Sequence, residues 1–154
     1  MKLVIACAVS FGAALAGSLL AAGSDAPGWY TKLEKPFFTP PGWLFGPVWT
    51  VLYLSMGVAA FWVWRRGLQS RAVRTALAWF LAQLVLNALW TPVFFGFHRI
   101  GWAVAVILSL WFAIVGTIWR FREVSKGAAL LLCPYLLWVS FAAVLNVSIW
   151  LLNR

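Results

Sequence analysis

The chain has 154 residues, of which 64% are hydrophobic and only 10% are charged. A soluble domain typically carries about 25% charged residues, so the composition excludes an ordinary water-soluble fold. The net charge of +9 comes from basic residues in short clusters between apolar runs. This pattern is typical of membrane topology signals and not of a nucleic-acid-binding face, so no nucleic-acid partner is expected.

Five stretches of at least 20 residues contain no Asp, Glu, Lys, Arg or His: 3–24, 36–64, 75–97, 100–119 and 127–153. About 20 apolar residues let a helix cross the bilayer core, and a backbone in lipid must satisfy its own hydrogen bonds. The sequence therefore predicts an all-α integral membrane protein, a bundle of five transmembrane helices in one domain covering residues 1–154. The helices are expected near 3–22, 42–64, 73–97, 101–121 and 127–151.

The first apolar stretch has two interpretations. Its basic start at Lys2 and the segment Leu20-Ala21-Ala22-Gly23 resemble a secretory signal peptide. However, the stretch is long for such a signal, and Gly12, Ala13 and Gly17 are small residues of the kind that let membrane helices pack closely. A retained first helix is therefore favoured.

A Pro/Trp-rich loop, residues 23–41, is predicted between the first and second helices. Its prolines fix their own φ angles and restrict the preceding residues, so the loop should be stiff. Thr39 followed by Pro40 resembles a helix start, with the threonine as N-cap. We expect this loop to act as a lid that carries Trp29 and Tyr30.

The basic residues between the helices predict the orientation. One side of the membrane should carry eight of them and the other side four. The more basic side usually faces the cytoplasm. The protein is therefore expected in a bacterial cell membrane, with its N-terminus in the cytoplasm and the loop on the outer side. The eight are Lys2, Arg65, Arg66, Arg71, Arg74, Arg120, Arg122 and Lys126, and the four are Lys32, Lys35, Arg99 and Arg154.

Three predicted helices direct aromatic and polar residues toward one region beneath the loop. The second helix contributes Trp49 and Tyr53, the third Gln83, Asn87, Trp90 and Thr91, and the fifth Tyr135, Trp138, Ala142, Leu145 and Asn146. Polar side chains in hydrocarbon should face the bundle interior, so the pattern predicts a mostly apolar pocket with a few orienting polar groups. Alternatively, the amides only hydrogen-bond neighbouring helices.

The charged residues exclude several functions. Asp25, Glu34 and Glu123 lie in predicted loops, so no carboxylate within the membrane is available for proton- or sodium-coupled transport. His98 is the sole histidine, and both cysteines lie in apolar runs, so no metal site is expected. The ligand is expected to be apolar, with an anionic end facing the basic residues beside the loop.

These motifs resemble the translocator protein family, the tryptophan-rich sensory proteins formerly called peripheral benzodiazepine receptors. The resemblance covers nearly the whole chain. It lies in Trp29-Tyr30, Lys35-Pro36, Pro40-Pro41-Gly42-Trp43, Gly46-Pro47-Val48-Trp49-Thr50-Val51-Leu52-Tyr53, Gln83-Leu84, Asn87, Trp90-Thr91-Pro92-Val93-Phe94-Phe95-Gly96, Pro134-Tyr135-Leu136-Leu137-Trp138 and Leu145-Asn146.

The resemblance implies a membrane receptor or sensor that binds tetrapyrroles, such as protoporphyrin IX and haem-like molecules, and synthetic benzodiazepine- or isoquinoline-type ligands beneath the first loop. The tetrapyrrole would be a ligand and not an axially ligated cofactor, and a homodimer is implied. The positions matching the family's ligand contacts are Trp29, Trp49, Asn87, Trp90, Tyr135, Trp138, Ala142 and Leu145. The motifs and the pocket predicted above add Tyr30, Tyr53 and Asn146.

The resemblance leaves the activity open. Some bacterial members degrade protoporphyrin in light with two pocket tryptophans, which match Trp49 and Trp138, so an enzyme is one alternative. A facilitated transporter of porphyrins or sterols is another. Cholesterol binding through the family's motif is disfavoured, because Val147 stands where that motif has tyrosine.

Overall fold

The computed structural model describes residues 1–22 and 24–154, and in this part of the chain all regular secondary structure is helical. Five helical segments are long and apolar enough to cross a membrane, which confirms the predicted five-helix class. Their bounds are Lys2–Ala21, Gly42–Trp64, Arg71–Gly96, Ile100–Val124 and Lys126–Leu152. Each lies within three residues of the predicted range.

The helices are α1 (Lys2–Ala21), α2 (Ala26–Lys32), α3 (Phe45–Trp64), α4 (Arg71–Thr91), α5 (Ile100–Val124), α6 (Lys126–Leu131) and α7 (Cys133–Leu152). A 3-10 turn, Gly42–Leu44, precedes α3, and a π-helical turn, Pro92–Gly96, continues α4. Helix α1 packs against α3 and α4, α4 packs against α5, and α5 packs against α6 and α7. Because α6 returns to α3, the spans enclose a common interior.

Pro92 and Pro134, two of the three prolines inside the predicted spans, coincide with departures from regular α-helix. A proline lacks the N–H that an α-helix needs, so the helix is disrupted where it stands. At Pro92 the backbone changes from α to π geometry, and the last span is interrupted at Leu132, two residues before Pro134. The Ser55 hydroxyl of α3 donates to the carbonyl oxygen of Leu131 at this interruption, at 2.6 Å.

Glycine allows the close approach of α1 to α4. A Cβ added at Gly17 would lie 2.8 Å from the backbone carbonyl oxygen of Ala88. By contrast, a Cβ added at Gly12, on the same helix, would meet no atom within 4 Å. The predicted packing role of the small residues therefore applies to Gly17 and not to Gly12.

The loop between the first two spans differs from the prediction in two ways. It contains a short helix, α2, which carries both Trp29 and Tyr30. The N-cap prediction for Thr39 is wrong: the next helical segment begins at Gly42, after Pro41, and the Thr39 hydroxyl donates to the carbonyl oxygen of Pro36 at 2.7 Å. A turn stabilised by this hydrogen bond took the place of the expected cap.

Candidate functional site

A cavity of about 460 Å3 lies in the bundle interior beneath the loop. This volume is within the range of pockets that hold small organic ligands. Residues of α1, α3, α4, α5, α7 and the π-helical turn form its walls. The loop contributes Tyr30 and Pro40, and the 3-10 turn contributes Gly42. Most of the lining side chains are apolar or aromatic, as in typical ligand pockets.

Nine of the eleven residues proposed above as ligand contacts line this cavity: Tyr30, Trp49, Tyr53, Asn87, Trp90, Trp138, Ala142, Leu145 and Asn146. Trp29 and Tyr135 are not among the lining residues. Tyr135 is completely buried behind the wall, with its ring edge toward Trp49 at 6.2 Å. The structure therefore assigns both a supporting position instead of a place on the cavity surface.

Three tryptophans provide the aromatic walls, each held by a neighbouring ring. Trp49 stacks on Tyr53 with 5.3 Å between ring centroids, and Trp90 stacks on Phe94 at 5.2 Å. Trp138 meets Phe45 edge to face at 5.8 Å, which joins α7 to α3 at the cavity rim. Such aromatic pairs restrict side-chain rotation, so the flat faces are held in place before any ligand arrives.

Tyr53 and Asn87 form a part of the cavity surface that we call the cavity floor, and a buried chain of hydrogen bonds runs from it into the protein behind. The Tyr53 hydroxyl donates to Asn87 Oδ1, and Asn87 Nδ2 donates to the Tyr135 hydroxyl oxygen at 3.0 Å. The Tyr135 hydroxyl in turn donates to Gln83 Oε1 at 2.9 Å. The chain ends where Gln83 Nε2 approaches the sulfur of Met56 at 3.9 Å.

The two interpretations of the amides therefore apply to different residues. Gln83 only joins helices, because it does not line the cavity. Asn87 and Asn146 do both: they line the cavity and also bond neighbouring helices. Asn146 Oδ1 accepts a hydrogen bond from the indole N–H of Trp90 at 2.9 Å, which fixes that ring.

The indole nitrogen of Trp138 is a different case. Within the described part of the chain, this buried Nε1 has no hydrogen-bond partner. An unpaired buried donor costs free energy, so a small rotation of this ring toward an acceptor on a bound molecule would be favourable.

The loop is attached to the bundle by aromatic stacking. Trp29 stacks on His98 with 4.3 Å between centroids and contacts the cavity-lining Phe94 edge to face at 5.6 Å. Lys35 Nζ lies 4.6 Å from the centroid of the Tyr30 ring. Burial raises the pKa of the Tyr30 phenol, so this side chain is uncharged at neutral pH.

The basic residues expected beside the loop, at the mouth of the pocket, are not among the residues that line the cavity. None of Lys32, Lys35 and Arg99 contributes to its surface. Lys35 Nζ donates to the carbonyl oxygen of Leu33 at 3.1 Å, and Arg99 lies in a separate outer groove with Trp102. Among residues 1–22 and 24–154, no group of three His, Cys, Asp or Glu side chains could hold a metal ion.

Sequence reasoning missed the contribution of α1 and of the π-helical turn. Ala13, Ala14 and Ser18 line one wall, although small residues in this helix by themselves predict only close helix packing. Phe94 and Phe95, which both lie in the π-helical turn, also line the cavity. The remaining lining residues outside the prediction are Pro40, Gly42, Phe45, Ile107, Leu110, Val139 and Ile149.

These features define an integral multi-pass membrane protein with an internal, aromatic-walled cavity. The sequence model of the TspO/MBR family matches residues 3–151. The chain therefore belongs to the TspO/MBR family, which confirms the resemblance noted from the motifs.

Curated relatives come from bacteria, archaea and animals. The tryptophan-rich protein TspO of Archaeoglobus fulgidus is 43% identical over 155 residues, covering 99% of this chain and 97% of the relative. That of Chlorobaculum tepidum is 46% identical over 125 residues, covering 81% and 79%. The translocator protein of Homo sapiens is 41% identical over 124 residues, covering 79% and 73%.

Proposed function

We propose that the protein is a membrane receptor or sensor that binds tetrapyrroles, with protoporphyrin IX as the first candidate, in the cavity beneath the loop. The same cavity would take synthetic benzodiazepine- and isoquinoline-type ligands. The observation that carries this proposal is the convergence of Trp49, Trp90 and Trp138 on one largely apolar cavity. Flat aromatic molecules gain both apolar burial and favourable ring contacts against such walls.

The polar groups suit a ligand that is bound and not metal-ligated. Among the described residues that line the cavity there is no His, Cys or Met, and tyrosine, as Tyr30 and Tyr53, is the one protein ligand of haem iron that is represented there. Tyr53, Asn87 and Asn146 instead provide neutral hydrogen-bonding groups that would orient an otherwise apolar molecule. A tetrapyrrole would therefore be held by its faces and edges.

A dark titration with protoporphyrin IX, followed by tryptophan fluorescence, tests this proposal. We expect saturable quenching for the wild type and weaker binding for Trp138→Phe. Trp119→Phe is the matched control, because Trp119 is 59% exposed and does not line the cavity. Linear quenching that is the same in all three proteins would mean that the porphyrin only partitions into detergent or lipid, and would overturn the proposal.

A second candidate is light-dependent degradation of porphyrin. It is favoured by the position of Trp49 and Trp138, which line the same cavity. Dioxygen would be the oxidant, and both side chains could donate electrons to the photo-excited porphyrin or to the oxygen products that it forms. In such a reaction the porphyrin would supply the photochemistry, and the protein would supply positioning and the donor side chains.

Illumination of bound protoporphyrin tests this candidate. We expect the Soret absorbance to fall faster with wild-type protein than without protein, and this acceleration to be lost in the double variant Trp49→Phe, Trp138→Phe. Equal loss with and without protein would exclude the enzyme and leave the receptor proposal intact.

We also infer that the protein lies in a bacterial cell membrane with the N-terminus in the cytoplasm, from the distribution of basic residues. A cysteine at Phe37, which is fully exposed in the loop, should then react with a membrane-impermeant maleimide in intact cells. A cysteine at Gln69, between α3 and α4, should react only after lysis. The reverse pattern would contradict the orientation.

A further inference from the structure

The hydrogen bonds of the chain at the cavity floor all run in one direction, with each member donating to the next. No single member determines this direction. Each hydroxyl has one proton to donate, and each amide can be turned to present either its oxygen or its NH2 group. All five side chains are nearly inaccessible, with exposures between 0% for Met56 and 7% for Tyr53. Buried groups without partners cost free energy, so the chain must adopt an order that satisfies them together.

Met56 is the one member that cannot change roles. A thioether sulfur accepts hydrogen bonds weakly and never donates one. Gln83 therefore satisfies its environment best with Nε2 toward the sulfur and Oε1 toward Tyr135, as observed. The reversed amide would place two acceptors, Oε1 and the sulfur, against each other.

The order of the remaining hydrogen bonds follows from Gln83. Because Gln83 Oε1 needs a donor, the Tyr135 proton is directed to it, and the Tyr135 oxygen then accepts from Asn87 Nδ2. Asn87 Oδ1 consequently faces Tyr53 and takes its proton. Tyr53 and Asn87 are the members of the chain that line the cavity. Because the Tyr53 hydroxyl has given its proton to Asn87, its oxygen has only lone pairs left to offer a ligand.

We propose that Met56 sets the direction of this chain and thereby makes the phenol oxygen of Tyr53 a hydrogen-bond acceptor toward the cavity. The floor then selects ligands that bring an N–H or O–H group to Tyr53. This inference rests on the proposed function in one respect, because it assumes that the cavity takes up a ligand. It makes Met56 a positioning residue that touches no ligand, acting through four intervening side chains.

Met56→Leu removes the sulfur and retains a similar apolar volume, a change that buried cores usually tolerate. Gln83 then loses the contact that distinguishes its two orientations. The reversed chain becomes accessible, and in it the Tyr53 proton points into the cavity. Ile114→Leu is the control, because Ile114 is buried but does not line the cavity or belong to the chain.

Ultraviolet resonance Raman spectroscopy without ligand tests the direction itself. The tyrosine doublet reports whether a phenol donates or accepts, and the protein has only three tyrosines. Subtracting the spectrum of Tyr53→Phe isolates the contribution of Tyr53. We expect donor character in the wild type and in Ile114→Leu, and reduced donor character in Met56→Leu. An unchanged Tyr53 contribution in Met56→Leu would overturn the role of Met56.

A pair of matched tricyclic probes tests the selectivity. Carbazole carries an N–H where dibenzofuran carries an ether oxygen, and the two are otherwise similar in shape. In equilibrium dialysis against protein-containing and empty nanodiscs, we expect carbazole to bind about fivefold more tightly to the wild type, as one neutral hydrogen bond suggests. Tyr53→Phe should abolish the preference, and Met56→Leu should reduce it. Equal binding of both probes to the wild type would overturn the selectivity.

The two measurements separate this inference from the proposed function. If protoporphyrin fails to bind while the Raman result is as expected, the direction of the chain stands and only the tetrapyrrole proposal fails. If protoporphyrin binds and Met56→Leu leaves the Raman spectrum unchanged, this inference fails alone. The Raman result also decides the direction when neither tricyclic probe binds.

Discussion

The side-chain amide of Asn153 pairs with the backbone of Glu34 through two hydrogen bonds. Its Oδ1 accepts from the Glu34 N–H at 3.0 Å, and its Nδ2 donates to the Glu34 carbonyl oxygen at 2.9 Å. Nδ2 also donates to the carbonyl oxygen of Ile149, one turn earlier in α7. The amide thus fastens the segment after α2 to the end of the last helix, beside the loop residues that cover the cavity.

Replacing this amide should loosen the loop. We expect Asn153→Ala to increase the dissociation rate of a bound ligand about tenfold, because the loss of two hydrogen bonds costs roughly 1–2 kcal/mol. Stopped-flow release of protoporphyrin measures the rate. Ser148→Ala is the control, since that exposed hydroxyl bonds only the Val144 carbonyl oxygen of its own helix. Equal release rates for all three proteins would show that the loop does not retain the ligand.

Trp29 provides the second attachment of the loop, through its stack on His98. We expect Trp29→Ala to speed ligand release more than it slows entry, because the side chain covers Phe94 without lining the cavity itself. Association and dissociation rates from the same stopped-flow experiment separate the two effects. Trp43→Ala is the matched control, because Trp43 is 73% exposed near the loop. Unchanged dissociation in Trp29→Ala would reject the role of Trp29 as a cover.

The close approach of α1 and α4 predicts opposite outcomes for two glycines of one helix. Gly17→Ala should destabilise the fold by about 1–3 kcal/mol, because its Cβ meets a backbone carbonyl that cannot move aside easily. Gly12→Ala should be neutral or slightly stabilising, since alanine favours helix and its Cβ meets open space. Thermal unfolding in one detergent compares them. A larger loss for Gly12→Ala would contradict the observed packing.

Asn87 connects Tyr53 to Tyr135, so its removal should weaken both the bundle and the cavity floor. We expect Asn87→Ala to lower the free energy of unfolding by about 1–2 kcal/mol, since membrane hydrogen bonds are individually modest. Denaturant unfolding measures this change. Ser109→Ala provides the comparison, because its exposed hydroxyl bonds only its own helix. Equal stability of the two variants would show that the buried chain contributes little.

The spans and much of the cavity could be predicted because they follow from simple constraints. A stretch of about 20 residues without charged side chains predicts a helix that spans the membrane. Helical spacing places Trp49 with Tyr53, and Asn87 with Trp90, on shared helix faces. Polar side chains had to point inward, which brought Asn146 to the same region. These rules depend only on residue type and periodicity, and the sequence contains both.

Other features depend on three-dimensional packing that periodicity does not contain. The prolines of the loop predicted a stiff segment without a helix. Helix α2 forms nevertheless, because its proline lies in the first turn, where a helix tolerates proline. Helical spacing predicts that Tyr135 lies on the inner face of its helix. It does not predict whether another side chain lies between Tyr135 and the cavity. Ala13 and Ala14 line the cavity because the neighbouring helices leave space there, which no property of alanine itself indicates.

The π-helical turn at Pro92–Gly96 affects the direction, around the helix axis, in which the residues after it point. Such a turn usually amounts to one inserted residue within an α-helix. Deleting a single residue from it would restore regular winding and rotate the downstream backbone by about 100°, one residue's share of a helical turn. His98 would then swing away from Trp29, so this segment should tolerate substitutions far better than changes in length.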